Sequence, residues 1–307
     1  MSSWAAYPYA VAMADRAGTF GALLTHIDVS VAGSHDWLGS LCRGGPHSPD
    51  LAYTFAPVGM ASDHPCPGSA SGAPSPVVAI PIGQEAVVLA RSPLYGKIDL
   101  TRREVFLALA EWVPDQARSG IVHANSSRTW RQINPAQGLE PIQFIGPPLS
   151  SAAGRSMIEL LMQGGCDSFS WIAALKSTDP HRYDRICRTV RTDGVYVEVS
   201  VPGLAPSELL AEPNAIGILG FESFTRSSVT DLVVSSLDGV QPTLQSIESG
   251  DYPGSRGLYL YINRKQTPDF GLIESLIAKS LLYYPDWALV PPTRAELRAA
   301  FLDLRSP

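Results

Sequence analysis

The sequence predicts an α/β protein with two domains and largely parallel sheets. Short apolar runs alternate with amphipathic segments along the whole chain, which is the pattern of strands joined by helices. The chain has 307 residues, 45% hydrophobic and 17% charged, which is enough to bury a sizeable core. Around residue 146, an apolar run bounded by prolines leads through a loop of small residues into a helical pattern.

In the first half of the chain, a long helix, a short helix and one well-marked helix are separated by strands. Thr101 and Glu104 have the spacing of a capping box at the start of the well-marked helix, whose buried stripe includes Trp112. Residues 77–90 form an apolar run too long for one ordinary strand, which is expected to cross between domains. Residues 114–128 are polar and expected to be mobile. The predicted helices span 7–24, 37–43 and 101–112, with a helical turn at 129–135; the predicted strands span 27–31, 51–58 and 141–145, and 59–76 is a long loop.

In the second half, the loop that ends in Ser150 and Ser151 precedes a helix, and both serines are typical N-cap residues. In a strand–loop–helix arrangement with small residues in the loop, the unpaired backbone N–H groups at the helix start can point at a bound anion. The same segment is also typical of a capped helix that binds nothing. Further predicted helices span 181–192, 205–212, 270–282 and 293–304; further strands span 196–201, 216–221, 229–237 and 258–262.

Composition and motifs exclude several classes of function. The net charge is −6 and no basic run occurs, so nucleic-acid binding is not expected. No apolar run is long enough to cross a bilayer. The sequence contains no Ser-His-Asp order, metal motif or P-loop, so we expect no enzyme activity, cofactor or metal site.

Four cysteines occur, two in each half of the chain: Cys42, Cys66, Cys166 and Cys187. An even number grouped in this way suits two local disulfides and an oxidising compartment. The alternative is four buried free thiols in a cytoplasmic protein. Residues 1–6 do not have the pattern of a signal peptide, so we expect that an export signal was removed or is encoded upstream, or that the compartment differs.

An ordered set of segments resembles a known family. The segments are 2–9, 41–44, 129–135, 146–148, 159–162, 191–197, 213–221 and 252–259. Together they are similar to the phosphate-binding protein of bacterial phosphate ABC importers. The resemblance implies a type II periplasmic-binding-protein fold, with two α/β lobes, a ligand in the cleft between them, and crossings at 77–90 and 216–224. Residues 1–80 and 218–307 would form one lobe and residues 81–217 the other.

The resemblance carries further expectations. The disulfides would join Cys42 to Cys66 and Cys166 to Cys187, and the protein would be periplasmic or extracellular. The chain would begin inside the family's first strand-to-helix loop, with a signal peptide and a strand encoded upstream. Its partners would be a small solute, phosphate or another molecule, and the membrane subunits of an ABC transporter or another membrane complex.

The four ligand loops depart from the family's pattern. Where the family has hydroxyl, glycine, acidic or basic residues, this chain has bulky or apolar ones, and Arg155 lies one position late on its helix, about 100° away. An adjacent His-Asp pair is often solvated, a Trp often packs a core, and Arg155 suits a helix surface equally well. The candidate ligand-binding residues are Trp4, Ala5, Ser34, His35, Asp36, Thr54, Phe55, Ser150, Ser151 and Arg155.

The expected function is therefore an exported solute-binding protein whose phosphate binding is weakened or lost. The alternative is a secreted or complex-associated scaffold subunit that keeps the fold without transport. An enzyme is the third possibility, and it would need a nucleophile–base pair that the sequence does not show.

Overall fold

The computed structural model describes residues 37–45, 51–56, 76–115, 117–199, 209–226, 232–266, 271, 277 and 289–305. The strands are β1 (Leu51–Ala56), β2 (Val77–Arg91), β3 (Trp112–Pro114), β4 (Val122–Ala124), β5 (Phe144–Gly146), β6 (Tyr196–Glu198), β7 (Ile216–Gly220), β8 (Val233–Val234) and β9 (Ser255–Asn263). The helices are α1 (Trp37–Arg43), α2 (Arg102–Leu109), α3 (Trp130–Ile133), α4 (Ala152–Met157), α5 (Gly164–Cys166), α6 (Ser170–Ala173), α7 (Leu175–Thr178), α8 (Pro180–Cys187), α9 (Phe221–Arg226), α10 (Leu244–Glu248) and α11 (Arg294–Arg305). The predicted α/β class is confirmed.

The first compact unit comprises residues 1–85, 247–250 and 255–307. Its strands follow the order β1-β9-β2, and β1 runs antiparallel to β9 with Ala56 opposite Gly257. Helix α11 begins with a capping box, because the Glu296 N–H donates to Thr293 Oγ1 and the Thr293 N–H donates to Glu296 Oε2. Its buried face joins a core formed by Tyr53, Val78, Ile80, Ile82, Leu258, Leu260, Ile262, Ile277, Leu289, Ala300 and Leu304.

The second unit comprises residues 86–246 and 251–254. Its strands follow the order β2-β7-β5-β6; β5 is parallel to β6 and β7, whereas β2 is antiparallel to β7 and β8. The prediction of largely parallel sheets is therefore wrong, since antiparallel pairs occur in both units. A run of buried apolar residues marks a strand without encoding the direction of its neighbours.

Strand β2 is a single strand of 15 residues, and the chain passes from the first unit at Glu85 to the second at Ala86 within it. The lobe limits expected at 80/81 and 217/218 differ from these units. Residues 218–246 group with the second unit, because the Ser235 N–H donates to the Leu89 carbonyl at 2.9 Å and Leu237 bridges Leu100.

Helix α2 ends three residues earlier than predicted, so Trp112 does not belong to its buried stripe. The backbone leaves the helix at Ala110, which bridges Val190, and the Glu111 N–H donates to the Thr189 carbonyl at 2.9 Å. Trp112 then starts β3, which pairs antiparallel with β4. The range 114–128, which was expected to be mobile, therefore contains part of this hairpin.

Other boundaries shift by a few residues, as element ends often do. Helix α8 ends at Cys187, β6 and β8 are shorter than predicted, and α9 was not predicted. The predictions for 7–24, 27–31, 59–75 and most of 270–282 lie outside the described residues. Among the residues described, no helix is both long and apolar enough to cross a membrane.

A disulfide joins α5 to α8, as expected for Cys166 and Cys187, with a Cα–Cα distance of 5.6 Å. Both cysteines are fully buried. Cys42, at the end of α1, is also disulfide-bonded. Its expected partner, Cys66, lies outside the described residues.

Candidate functional site

The loop between β5 and α4 carries three of the predicted site residues. Ser151 is the N-cap of α4: its Oγ accepts the Gly154 N–H at 3.0 Å, as a capping serine does. The same hydroxyl donates to the Pro148 carbonyl at 2.6 Å. The Ser151 hydroxyl therefore acts both as a donor and as an acceptor within the loop.

Arg155 lies in the first turn of α4 and turns back toward the loop. Its Nη1 donates to the Ser150 carbonyl at 2.6 Å, while the Ser150 side chain is exposed. The structure thus brings Ser150, Ser151 and Arg155 together at one helix start. The hydrogen bond from Arg155 to the Ser150 carbonyl links α4 to the loop that precedes it.

Close packing fixes this loop from two sides. A Cβ on Gly154 would overlap the Pro148 carbonyl oxygen and lie 2.7 Å from Leu149 Cα, so only glycine fits there without a shift. On the other side, the Tyr196 hydroxyl donates to the Pro147 carbonyl at 2.5 Å. Burial, followed by the nearby Glu198 carboxylate, raises the pKa of Tyr196 above its usual value, so it remains a donor at neutral pH.

A negative charge stands beside the loop. The Leu149 N–H donates to Glu198 Oε1 at 3.3 Å, and Glu198 is exposed. A carboxylate near a helix start repels a second anion and competes for its donors. The loop keeps the strand-to-helix geometry of an anion site but has an acidic neighbour.

Phe55, near the end of β1, has a different environment from the one expected for a ligand-binding residue. The Arg256 guanidinium lies over the Phe55 ring at 3.9 Å from its centre. Arg256 Nε and Nη2 both lie 3.1 Å from Glu85 Oε2, and the two side chains are 10% and 11% exposed. Neither charged residue was among the predicted site residues, although Arg256 belongs to one of the segments that carry the family resemblance.

The remaining predicted site residues are described only in part or not at all. Thr54 lies in β1 opposite Tyr259. Trp4, Ala5, Ser34, His35 and Asp36 lie outside the described residues. Within the described part of the chain, no group of three His, Cys, Asp or Glu side chains is placed to hold a metal ion.

Comparison with solved structures establishes the fold. A structure described as a possible phosphate binding protein from Planctomyces limnophilus matches with a TM-score of 0.66 at 15% identity, over 99% of this chain and 97% of that chain. PstS from Borrelia burgdorferi matches with a TM-score of 0.58 at 17% identity, over 95% of this chain and 97% of that one. An ABC-type phosphate transport receptor from Vibrio cholerae matches with a TM-score of 0.56 at 12% identity, over 95% and 98%.

These matches confirm, at the level of the fold, the resemblance to phosphate-binding proteins and the predicted periplasmic-binding-protein fold. No protein-family model matches the chain. No curated protein matches it in sequence.

Proposed function

We propose that the chain is an extracytoplasmic solute-binding protein that delivers a small solute to an ABC importer or another membrane complex, and that it binds phosphate weakly. The fold supports the first part. Of the three matched structures, one is described as a possible phosphate binding protein, one as a phosphate transport receptor, and one is PstS. Fold alone does not fix a ligand, so the second part depends on the side chains.

The observation that carries the proposal is the internal use of the Ser151 hydroxyl and of one N–H group of Arg155. Ser151 bonds to Pro148 and Gly154, and Arg155 bonds to Ser150. An anion that leaves water must regain its hydrogen bonds in the protein, or desolvation dominates. With the Ser151 hydroxyl and Arg155 Nη1 engaged and the Glu198 carboxylate alongside, we expect the helix start to bind phosphate only weakly.

The aligned sequence removes further donors. Ala5, Ala153 and Gly154 stand where the resemblance expects hydroxyl or other polar ligands. Each hydrogen bond to a charged group contributes about 1.5–3 kcal/mol. Three such losses would remove roughly 5 kcal/mol, or between three and four decades of affinity, if they added.

The disulfides support a location outside the cytoplasm. Disulfides persist in oxidising compartments, and the Cys166–Cys187 bond joins two fully buried cysteines. The alternative function, a scaffold subunit without a solute, would keep the same fold and the same bonds. The two functions differ in whether any small molecule binds.

A thermal-shift screen tests the proposal, because a ligand that binds only the folded state raises the melting temperature by mass action. The panel contains phosphate, sulfate, carboxylic acids, amino acids, sugars and nucleosides. We expect a concentration-dependent rise with at least one solute other than phosphate. A flat response to the whole panel would favour the scaffold alternative.

A further inference from the structure

The second unit carries two arginines on two tryptophans that the proposed function does not use. These four residues, Trp112, Trp171, Arg182 and Arg185, are called the arginine–tryptophan face below. We propose that this face binds an acidic segment of a partner protein, with carboxylates on the two guanidinium groups and an apolar residue against the tryptophan surface. The inference goes beyond solute binding and does not depend on it.

Helix α8 presents the two arginines as neighbours. Arg182 and Arg185 are three positions apart on this helix, so they lie next to each other on its surface. The buried residues of the helix are Tyr183, Ile186 and Cys187, which anchor its other side. Arg185 is exposed and Arg182 is half-buried, so a partner can reach both.

Each guanidinium lies over a tryptophan ring. Arg182 Cζ is 5.7 Å from the centre of the Trp171 ring in α6, and Arg185 Cζ is 5.9 Å from the centre of the Trp112 ring in β3. Both tryptophans are half-buried. A guanidinium over a ring keeps its N–H groups at its edge, where a carboxylate can accept two of them. The face therefore offers charged donors and apolar surface side by side.

The two guanidinium groups keep their positive charges unneutralised. Within the described part of the chain, their contacts are the two rings and, for Arg182, a hydrogen bond from Nη2 to the Gly120 carbonyl at 2.7 Å. Arg188, one turn further on, is different, because its Nη2 lies 3.8 Å from Glu159 Oε1. The face is thus a local positive site in a chain whose net charge is −6.

Two links hold the face in place. The disulfide from Cys187 to Cys166 ties the end of α8 to α5. The bond from Arg182 to Gly120 ties the helix to the turn of the β3–β4 hairpin. A surface that is ordered before the partner arrives loses less conformational entropy on binding.

The composition of the face favours a protein segment over a membrane. Tryptophan and arginine are the residues most enriched among those that dominate the energy of protein interfaces. Asp179 and Asp184, both exposed, flank the arginines along the chain. An anionic membrane is a continuous negative surface and would also meet these two carboxylates, whereas a segment can place its own carboxylates on the arginines alone. A second copy of the chain carries the same net charge of −6, which opposes self-association.

Fluorescence anisotropy with a labelled peptide of alternating glutamate and leucine, at low salt, tests the inference. A peptide with glutamine in place of glutamate is the comparator, and we expect it to bind about tenfold more weakly. Added salt should also weaken binding of the glutamate peptide. The double variant Arg182→Gln/Arg185→Gln should lower that affinity about tenfold or more, and Trp171→Leu should lower it about fivefold.

Matched variants separate binding from folding. Arg131→Gln removes an exposed arginine of α3 that lies over no described ring, so it should leave the affinity unchanged. Arg185→Gln alone removes a side chain whose described contact is the Trp112 ring, and it should weaken binding about threefold without loosening the hairpin. Melting temperatures confirm that each variant is folded.

Three results overturn the inference. The two peptides bind equally well, or not at all up to millimolar concentration. The folded arginine variants keep the wild-type affinity. The glutamate peptide does not bind, whereas vesicles containing phosphatidylglycerol do, or the chain dimerises in sedimentation through these arginines; the face would then belong to a lipid surface or to a second copy. None of these results bears on the proposed function, which the solute panel tests.

Discussion

At the residue scale, the Ser151 hydroxyl makes two hydrogen bonds within its own loop. Its hydroxyl satisfies an N–H of the helix start, which would otherwise need water or an anion. The bond that the hydroxyl accepts from the Gly154 N–H stabilises the helix start, and the bond that it donates to the Pro148 carbonyl engages its proton within the loop.

Replacing the Ser151 side chain should lower the free energy of unfolding, whereas replacing the neighbouring Ser150 should leave it unchanged. Ser151→Ala removes the bonds to Gly154 and Pro148, and we expect a loss of about 1 kcal/mol in the free energy of unfolding. Ser150→Ala is the control, because the Ser150 side chain is exposed. Urea denaturation measures both variants. Equal stability of the two variants would contradict the assignment of Ser151 as the cap.

Asp193 forms an ion pair with Arg191, and its charge should make the stability of the fold depend on pH. The side-chain hydrogen bond from Arg191, and then the nearby charges of Arg191 and Arg128, lower its pKa below the usual value, although partial burial opposes the shift. Arg191 Nη2 lies 2.6 Å from Asp193 Oδ2, and the Arg191 side chain is 3% exposed. Because the folded pKa is depressed, the pair stabilises the fold above the unfolded pKa of about 3.9 and loses this contribution as pH falls through the folded pKa.

Asp193→Asn should therefore lower the free energy of unfolding by about 2 kcal/mol at neutral pH. The loss of stability on acidification below pH ~4 should also become shallower than in the wild type. Asp184→Asn, on the exposed side of α8, removes the same charge as a control. Denaturation curves between neutral and acidic pH check this. An unchanged pH dependence in Asp193→Asn would refute the role given to the pair.

At the scale of elements, the Cys166–Cys187 bond closes a segment with a sequence separation of 21. In the chain-entropy account, a closed loop of this size contributes about 3 kcal/mol, mainly by restricting the unfolded chain. We expect the double variant Cys166→Ala/Cys187→Ala to lose stability of that order. Guanidinium denaturation measures the loss, and peptide mapping of the unreduced wild type identifies the bond. A free thiol at either position in oxidised protein would contradict the structure.

Elements with strong local signals were predictable from the sequence. The capping box before α2, the apolar run of β9 and the short helix α1 each carry their own pattern, and their positions agree with prediction within a few residues. Strand β3 has only three residues and includes Pro114, so it carries no such pattern. Strand direction also had no local signal, which explains the error about parallel sheets.

The candidate site was less predictable than the fold, because its contacts join distant parts of the chain. Arg256 and Glu85 are 171 positions apart, and nothing in either segment marks them as a pair. Ser151 was identifiable as a cap from its position before a helical pattern. That its hydroxyl would also bond to Pro148 depends on the fold of the loop, which spacing does not encode.

At the scale of the whole molecule, the scaffold and the ligand groups follow different constraints. Buried strands and capped helices tolerate extensive substitution if volume and pattern are kept, so a fold can persist at low sequence identity. Binding of a small anion depends on a few donors placed within hydrogen-bond distance, and single substitutions remove them. The proposed function therefore combines the fold of phosphate-binding proteins with altered donor positions.

Titration calorimetry with inorganic phosphate at neutral pH is the most direct test of this account. With three donor positions replaced and the Ser151 hydroxyl engaged, we expect a dissociation constant in the millimolar range or weaker, which corresponds to a binding free energy of about −4 kcal/mol at most. Micromolar or tighter binding would contradict the account. It would show that the ligand loops were aligned incorrectly and that the chain is an ordinary phosphate receptor.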